Sequence, residues 1–319
     1  MVAGKFPMSE VNSNGEVHPP APDFGGADQP SYAHTLFWGP EGLRPGWGFA
    51  FYVVMFYPLE TIAVKLAWSR NFGASGLWSG MLEELGTLIA AVIPSLILAR
   101  IERRPWGAYG LPGERAFGRL FWAGGLWGCG AVSLLMVALR GMGGFEFGGL
   151  ALHGMRIAKF AAFWAAMFLL VGLSEEFRFR GYVQFTLGRG IGFWPSALLL
   201  SAFFGRLHLG NTGENWTGAV GAACIGLFFC FTLRRTNSLW FAVAFHAVWD
   251  WGETFFYSVP DSGIVWPGHL LRSSLHGPAW LTGGTAGPEG SVVCFAVIAL
   301  TWVAFDRMYP RTAAADTRV

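Results

Sequence analysis

Apolar runs of roughly bilayer length recur along the chain, separated by short polar or Gly/Pro-rich stretches. A helix needs ~20 apolar residues to cross the hydrocarbon core. Runs of that kind occupy Trp47–Trp68, Gly80–Arg100, Phe117–Leu139, Ile157–Leu187, Trp194–Leu209, Trp216–Leu233, Ser238–Ser258 and Ser291–Met308. The pattern predicts an all-α, polytopic membrane helix bundle of about eight transmembrane helices. Pro58 and Pro94 are expected to kink the first two. Residues 1–44 carry no such periodicity and are rich in Pro, Gly, Ser and acidic side chains, the composition of a disordered tail. The expected organisation is therefore a tail over 1–44, one membrane domain over 45–309 and a short C-terminal tail over 310–319, without an internal repeat.

Composition agrees with this reading. The chain has 319 residues, of which 53% are hydrophobic and only 13% charged, with a mean hydropathy of +0.42. Soluble domains carry about 25% charged residues. A multi-pass integral membrane protein is expected, with the bilayer as its partner. The net charge of +2, without a basic run, gives no reason to expect nucleic acid. Cys129, Cys224, Cys230 and Cys294 sit in apolar segments without CxxC spacing and are expected to be buried thiols. No basic start followed by an apolar core marks a cleaved signal peptide. Placing both termini in the cytoplasm assigns 13 Lys and Arg to that side and 5 to the other. That asymmetry favours the arrangement.

Against this apolar background, Ser174-Glu175-Glu176-Phe177-Arg178-Phe179-Arg180 is an anomaly. Each charge in hydrocarbon costs about 2.5–3.5 kcal/mol or more, so intramembrane charges pair, face a cavity or do chemistry. On a helix, Glu176 and Arg180 lie four apart and can neutralise each other. Glu175 is rotated by about 100° and shares its face with Phe179, which leaves it as the free carboxylate. Two later runs carry further ionisable groups: Phe204 and His208 share one face of the fifth, His246 and Asp250 one face of the seventh. A lone intramembrane histidine more often packs or bonds between helices than reacts. Carboxylates and imidazoles from three separate spans that converge in a dry site can hold a water or a metal. At ~1.5 Å per residue, Glu175, His208 and His246 reach one slab of the bilayer if the fourth helix runs on to Leu187. Arg178 and Arg180 would then face a wet cavity.

These pieces, in this order, resemble the motifs of the CPBP family of intramembrane proteases, which includes CAAX proteases and bacteriocin-processing enzymes. The family pattern EExxxR, FxxxH and HxxxN or HxxxD is matched by Glu175-Glu176 with Arg180, Phe204 with His208, and His246 with Asp250. The third motif takes its Asp form. The similarity covers roughly residues 155–258 of a protein with the family's usual number of spans. It implies an endopeptidase that hydrolyses peptide bonds of membrane-associated or prenylated, CAAX-like substrates reached from the membrane. If the host is bacterial, the plasma or inner membrane is implied. By the resemblance, Glu175 and His208 would activate the attacking water. His246 and Asp250 would bind that water or stabilise the oxyanion, Glu176 and Arg180 would hold the site together, and Phe204 would shape the pocket. The resemblance also implies a metalloprotease-like centre. Glu175, His208, His246 and Asp250 are a donor set that suits zinc. There is no HExxH helix, and a metal-free glutamate protease would use the same four residues.

Three rival readings use the same chain. Gly73-Ala74-Ser75-Gly76 spells GxSG, a serine-protease lettering, in a loop without a neighbouring histidine motif. Intramembrane Glu, His and Asp also build the proton relays of transporters, although paired halves are missing. A non-catalytic scaffold could keep the same residues as a buried polar network. The segment Pro260–Gly290, rich in Gly, Pro and Trp, is expected to pack on the outer face, with His269 and His276 as loop residues. Asn215-Trp216-Thr217 is a glycosylation sequon by letter only.

Overall fold

The computed structural model describes residues 32–40, 42–69 and 76–310. Residues 1–31, the Gly73–Ser75 part of the GxSG stretch and residues 311–319 lie outside the described residues. The chain divides into two compact units, residues 1–44 and 45–319. In the first, helix α1 (Tyr32–Phe37) leads into a two-stranded hairpin, β1 (Trp38–Gly39) against β2 (Gly42–Leu43), with Trp38 opposite Leu43. Local backbone bonding differs here from the expected disorder: the Arg44 amide donates to the Phe37 carbonyl at 2.9 Å.

The second unit is an all-α membrane bundle. Its long helices are α2 (Pro45–Ser69), α3 (Leu77–Ile101), α4 (Arg119–Gly141), α5 (Met155–Arg180), α6 (Tyr182–Ile191), α7 (Phe193–His208), α8 (Trp216–Thr236), α9 (Trp240–Trp251) and, after α10 (Ala279–Thr282), α11 (Val292–Met308). Each of the eight expected runs lies on this helical framework. Among the described residues, five stretches are long and apolar enough to cross a membrane: α2, α3, α4, α8 and the Met155–Ile191 stretch that α5 and α6 share. The chain is a multi-pass integral membrane protein. Large apolar side chains such as Val54, Leu66, Leu126 and Val137 point outwards, as lipid-facing positions should, because acyl chains solvate them as well as a core would. Pro58 and Pro94 both lie inside their helices. The four cysteines are free, but only Cys230 and Cys294 are buried as expected; Cys224 is half-buried and Cys129 is exposed on α4.

Small residues set the helix spacing. A Cβ on Gly124 or Gly128 of α4 would collide with the Phe241 and Phe245 carbonyls of α9, so only glycine admits this close crossing. Across the contact, Phe228 and Phe229 of α8, Phe241 and Phe245 of α9, and Phe305 of α11 form the aromatic core. The fourth expected span is not one straight helix. It breaks at Gly181 between α5 and α6, where a Cβ would meet the Phe177 carbonyl.

The segment after α9 packs against neighbouring parts of the bundle. A π-helical turn, Gly252–Tyr257, extends α9. Strand β4 (Ser274–Leu275) then pairs antiparallel with β3 (Phe145–Glu146). The Ala151 amide donates to the Leu270 carbonyl at 2.8 Å, and Asn211 Nδ2 donates to the Ser262 carbonyl at 2.9 Å.

Candidate active site

The site begins in the last two turns of α5. Glu176 and Arg180, one turn apart, form a fully buried ion pair with Nη1 3.1 Å from Oε1. The guanidinium also lies over the Phe204 ring of α7, 4.6 Å from its centroid. Cation–π attraction is strongest where water is excluded, as here. Arg178 pairs with Glu60 of α2 at 2.8 Å. Arg180 is wholly enclosed although it borders a small second cavity beside Tyr109 and Gln184, and Arg178 keeps a partly exposed side chain. Each is absorbed by a carboxylate from its own or a neighbouring helix, which meets the cost of burying a charge in another way.

The same Glu176 oxygen reaches the third motif. His246 Nδ1–H donates to Glu176 Oε1 at 3.0 Å, since the arginine pairing keeps that carboxylate an acceptor. Bonding at one ring nitrogen fixes the role of the other. His246 Nε2 is therefore turned to the reactive side, 3.6 Å from Glu175 Oε2 and 3.4 Å from Asp250 Oδ2. Glu175 is 26% exposed at its side chain whereas Glu176 is wholly enclosed. The division into one tied and one available carboxylate is thus realised.

His208, the last residue of α7, donates from Nδ1 to the Phe204 carbonyl at 2.9 Å. That bond leaves Nε2 as the ring nitrogen not engaged by Phe204. Phe204 packs against both imidazoles, with ring centroids 4.5 Å from His208 and 6.4 Å from His246. Glu175, His208, His246 and Asp250 all line one cavity of about 180 Å³. Its apolar wall includes Met167, Phe168, Ile225 and Trp266. The structure therefore brings the expected residues of three spans to one cavity, despite the break at Gly181.

Some residues of this cavity escaped the sequence reading. Glu84 of α3 accepts from the Ser174 hydroxyl at 2.5 Å and lies beside Glu175. A carboxylate inside an apolar run is the signal that singled out Glu175, and it applied equally to Glu84. Asp261 and Glu289 also line the cavity, and no spacing could have joined them to the motifs. Asn215 caps α8 by accepting from the Thr217 and Gly218 amides, which gives the sequon asparagine a structural task. His269 bonds the Trp266 carbonyl, and His276 bonds the Ser274 hydroxyl and lies 3.8 Å from Glu146 Oε2, away from the cavity. Arg206 is exposed.

The zinc expectation can be tested on donor spacing. Among the described residues, Glu175, His208, His246 and Asp250 do not provide three donor atoms all within 4.8 Å of one another. The group that does is Glu253, Asp261 and Glu289. The four expected ligands do not fit a closed metal centre as they are arranged.

The comparison with known families follows the same boundaries. Residues 157–252 match the model of the Rce1-like family, type II CAAX prenyl endopeptidases. The similarity is to that family's domain over this stretch alone. The match agrees with the CPBP resemblance and supports a CAAX-type intramembrane protease. The matched stretch runs from α5 to the end of α9, so every motif residue falls inside it, while Glu84, Asp261 and Glu289 lie outside. No curated protein and no solved structure matches the chain.

Proposed function

We propose that the chain is an intramembrane endopeptidase of the CAAX type, acting on prenylated or otherwise membrane-associated peptides by activating water with Glu175 and His208. The observation that carries this reading is the orientation of His246, held at Nδ1 by Glu176 with Nε2 between Glu175 and Asp250. Glu175 is the carboxylate without an arginine partner, and His208 offers a free Nε2 on the same cavity. In the proposed reaction the water oxygen forms a bond to the scissile carbonyl carbon while its proton passes to Glu175. The carbonyl oxygen takes up the negative charge. Collapse breaks the C–N bond, and the proton on Glu175 goes to the leaving amine.

His246 is placed to stabilise the oxyanion once Nε2 carries its second proton, and Asp250 is the acceptor that orients it. An amide in the third-motif position could donate to the oxyanion directly. Asp250 has no N–H to offer and acts through His246, whose Nε2 lies 3.4 Å from its Oδ2. No step here passes through a metal. The apolar wall of the cavity would hold the lipidated or apolar side of a substrate.

The test uses purified protein in proteoliposomes with farnesylated and unprenylated CAAX-type peptides. Cleavage should be lost in Glu175→Ala and His208→Ala and partly kept in Glu176→Gln. Full cleavage by Glu175→Ala would remove the assigned role. Proton-coupled flux without cleavage by the wild type would favour a transporter.

A further inference from the structure

At the end of α9, three carboxylates from different segments meet. Glu253 is in the π turn, Asp261 follows it, and Glu289 is in the 3-10 turn Pro288–Gly290 before α11. One oxygen from each lies within 4.8 Å of the others. The indole N–H of Trp249 donates to both Glu253 Oε2 and Glu289 Oε1, at 3.1 Å each. The Ser262 amide and hydroxyl donate to Glu289 Oε2, and the Thr254 hydroxyl donates to Asp261 Oδ2. All these donors are neutral. Among the described residues, no lysine or arginine is paired with the cluster.

A second observation points to a ligand. Glu253 is 0% exposed, and its Oε1 has no hydrogen-bond partner. Its sister oxygen shares the Trp249 donor with Glu289, so the orphaned atom is held at the cluster. A buried carboxylate oxygen without a partner is costly to leave so.

We propose that Glu253, Asp261 and Glu289 bind one hard divalent cation, calcium in preference to magnesium, which ties residues 258–291 to the end of α9. The ligand atoms are all oxygens, which select calcium or magnesium over zinc or copper. Calcium accepts six to eight oxygens in flexible geometry, whereas magnesium keeps several waters and takes one or two carboxylates, so a site of three protein carboxylates suits calcium. Asp261 and Glu289 also line the cavity that holds Glu175 and His246, so the ion would fix one of its walls. This site is separate from the proposed water-activating residues, and its test does not depend on cleavage.

The full-length protein in detergent, stripped with EDTA, is titrated with calcium alone and with magnesium alone. Bound ion and Tm are both measured. One calcium should bind per chain, and magnesium more weakly. Calcium at 100 times its Kd should raise Tm by about 5–10 °C. Glu253→Gln should lose binding and the shift, whereas Glu175→Gln should keep both. If Glu253→Gln does not fold, Asp261→Asn replaces it, and the wild-type titration needs no variant. Absence of binding and of a shift in the wild type would overturn the proposal. So would binding retained in Glu253→Gln or Asp261→Asn, or lost in Glu175→Gln.

Discussion

Replacing Arg180 by Met removes one partner of the buried pair and leaves the other in place. Both side chains are 0% exposed, so Glu176 would keep its charge with only the His246 Nδ1–H as a donor. Breaking a buried pair on one side costs about 3–5 kcal/mol, because the remaining charge is neither solvated nor paired. At about 2–4 °C per kcal/mol, Tm should fall by about 6–20 °C. Adding Glu176→Gln should restore most of that loss, since the double variant buries two neutral groups instead of one lone charge. The amide oxygen can still accept from His246, so the double variant should also cleave better than Arg180→Met alone. The assay is thermal unfolding in detergent, followed by the fluorescence of the 16 tryptophans, on all four members of the cycle. A coupling of about 2 kcal/mol or more is expected between the two sites. An Arg180→Met protein within about 1 °C of wild type would refute the reasoning. So would a double variant whose loss equals the sum of the two single losses.

Gly226→Ala tests the packing behind the pair. Its Cβ would collide with Arg180 Nη2, and a guanidinium that retreats loosens its pairing with Glu176 and its place over Phe204. Overpacking of this kind costs about 1–3 kcal/mol, and cleavage should fall with Tm; unchanged Tm and activity would contradict the crowding. Tyr109→Phe tests a pH effect in the loop between α3 and α4. Burial, then the Glu102 carboxylate, raises the Tyr109 pKa above its ordinary 10.0. The unfolded chain therefore loses this proton first as pH rises. The stabilising contribution is full below about pH 10 and declines above it. Wild-type Tm should drop more steeply than that of Tyr109→Phe between pH 10 and 11, and parallel curves would refute the assignment.

The parts of the site legible in the sequence are those set by helix periodicity. Glu176 with Arg180 and His246 with Asp250 are four-residue pairs, and each closes as the period requires. Lipid-length apolar runs likewise located the helices. What periodicity could not give is the choice of partner between distant elements. Arg178 keeps a partly exposed side chain and pairs with Glu60, 118 residues away. Glu84 reaches the cavity through Ser174, 90 residues on. Cys129 reads as buried from its apolar surroundings, but in a membrane an apolar face can be the lipid face, so hydropathy alone does not separate core from exterior.

The break at Gly181 shows how local and distant demands combine. A straight continuation of α5 would carry Arg180 along one helix with Tyr182 and Gln184. With the break, α5 ends on the Glu176–Arg180 pair, and α6 starts afresh beneath Tyr52 and Tyr109, whose rings pack on Tyr182. The glycine contacts of α9 impose a matching constraint from the other side: Gly124 and Gly128 admit α4, and Gly172 of α5 admits the Val243 carbonyl. Held between these two helices, α9 has little freedom to rotate. His246 must then present Nδ1 to Glu176 and Nε2 to Glu175 together. A carboxylate pair on one helix and an imidazole on another become a single device only because glycines far from the motifs let the backbones touch.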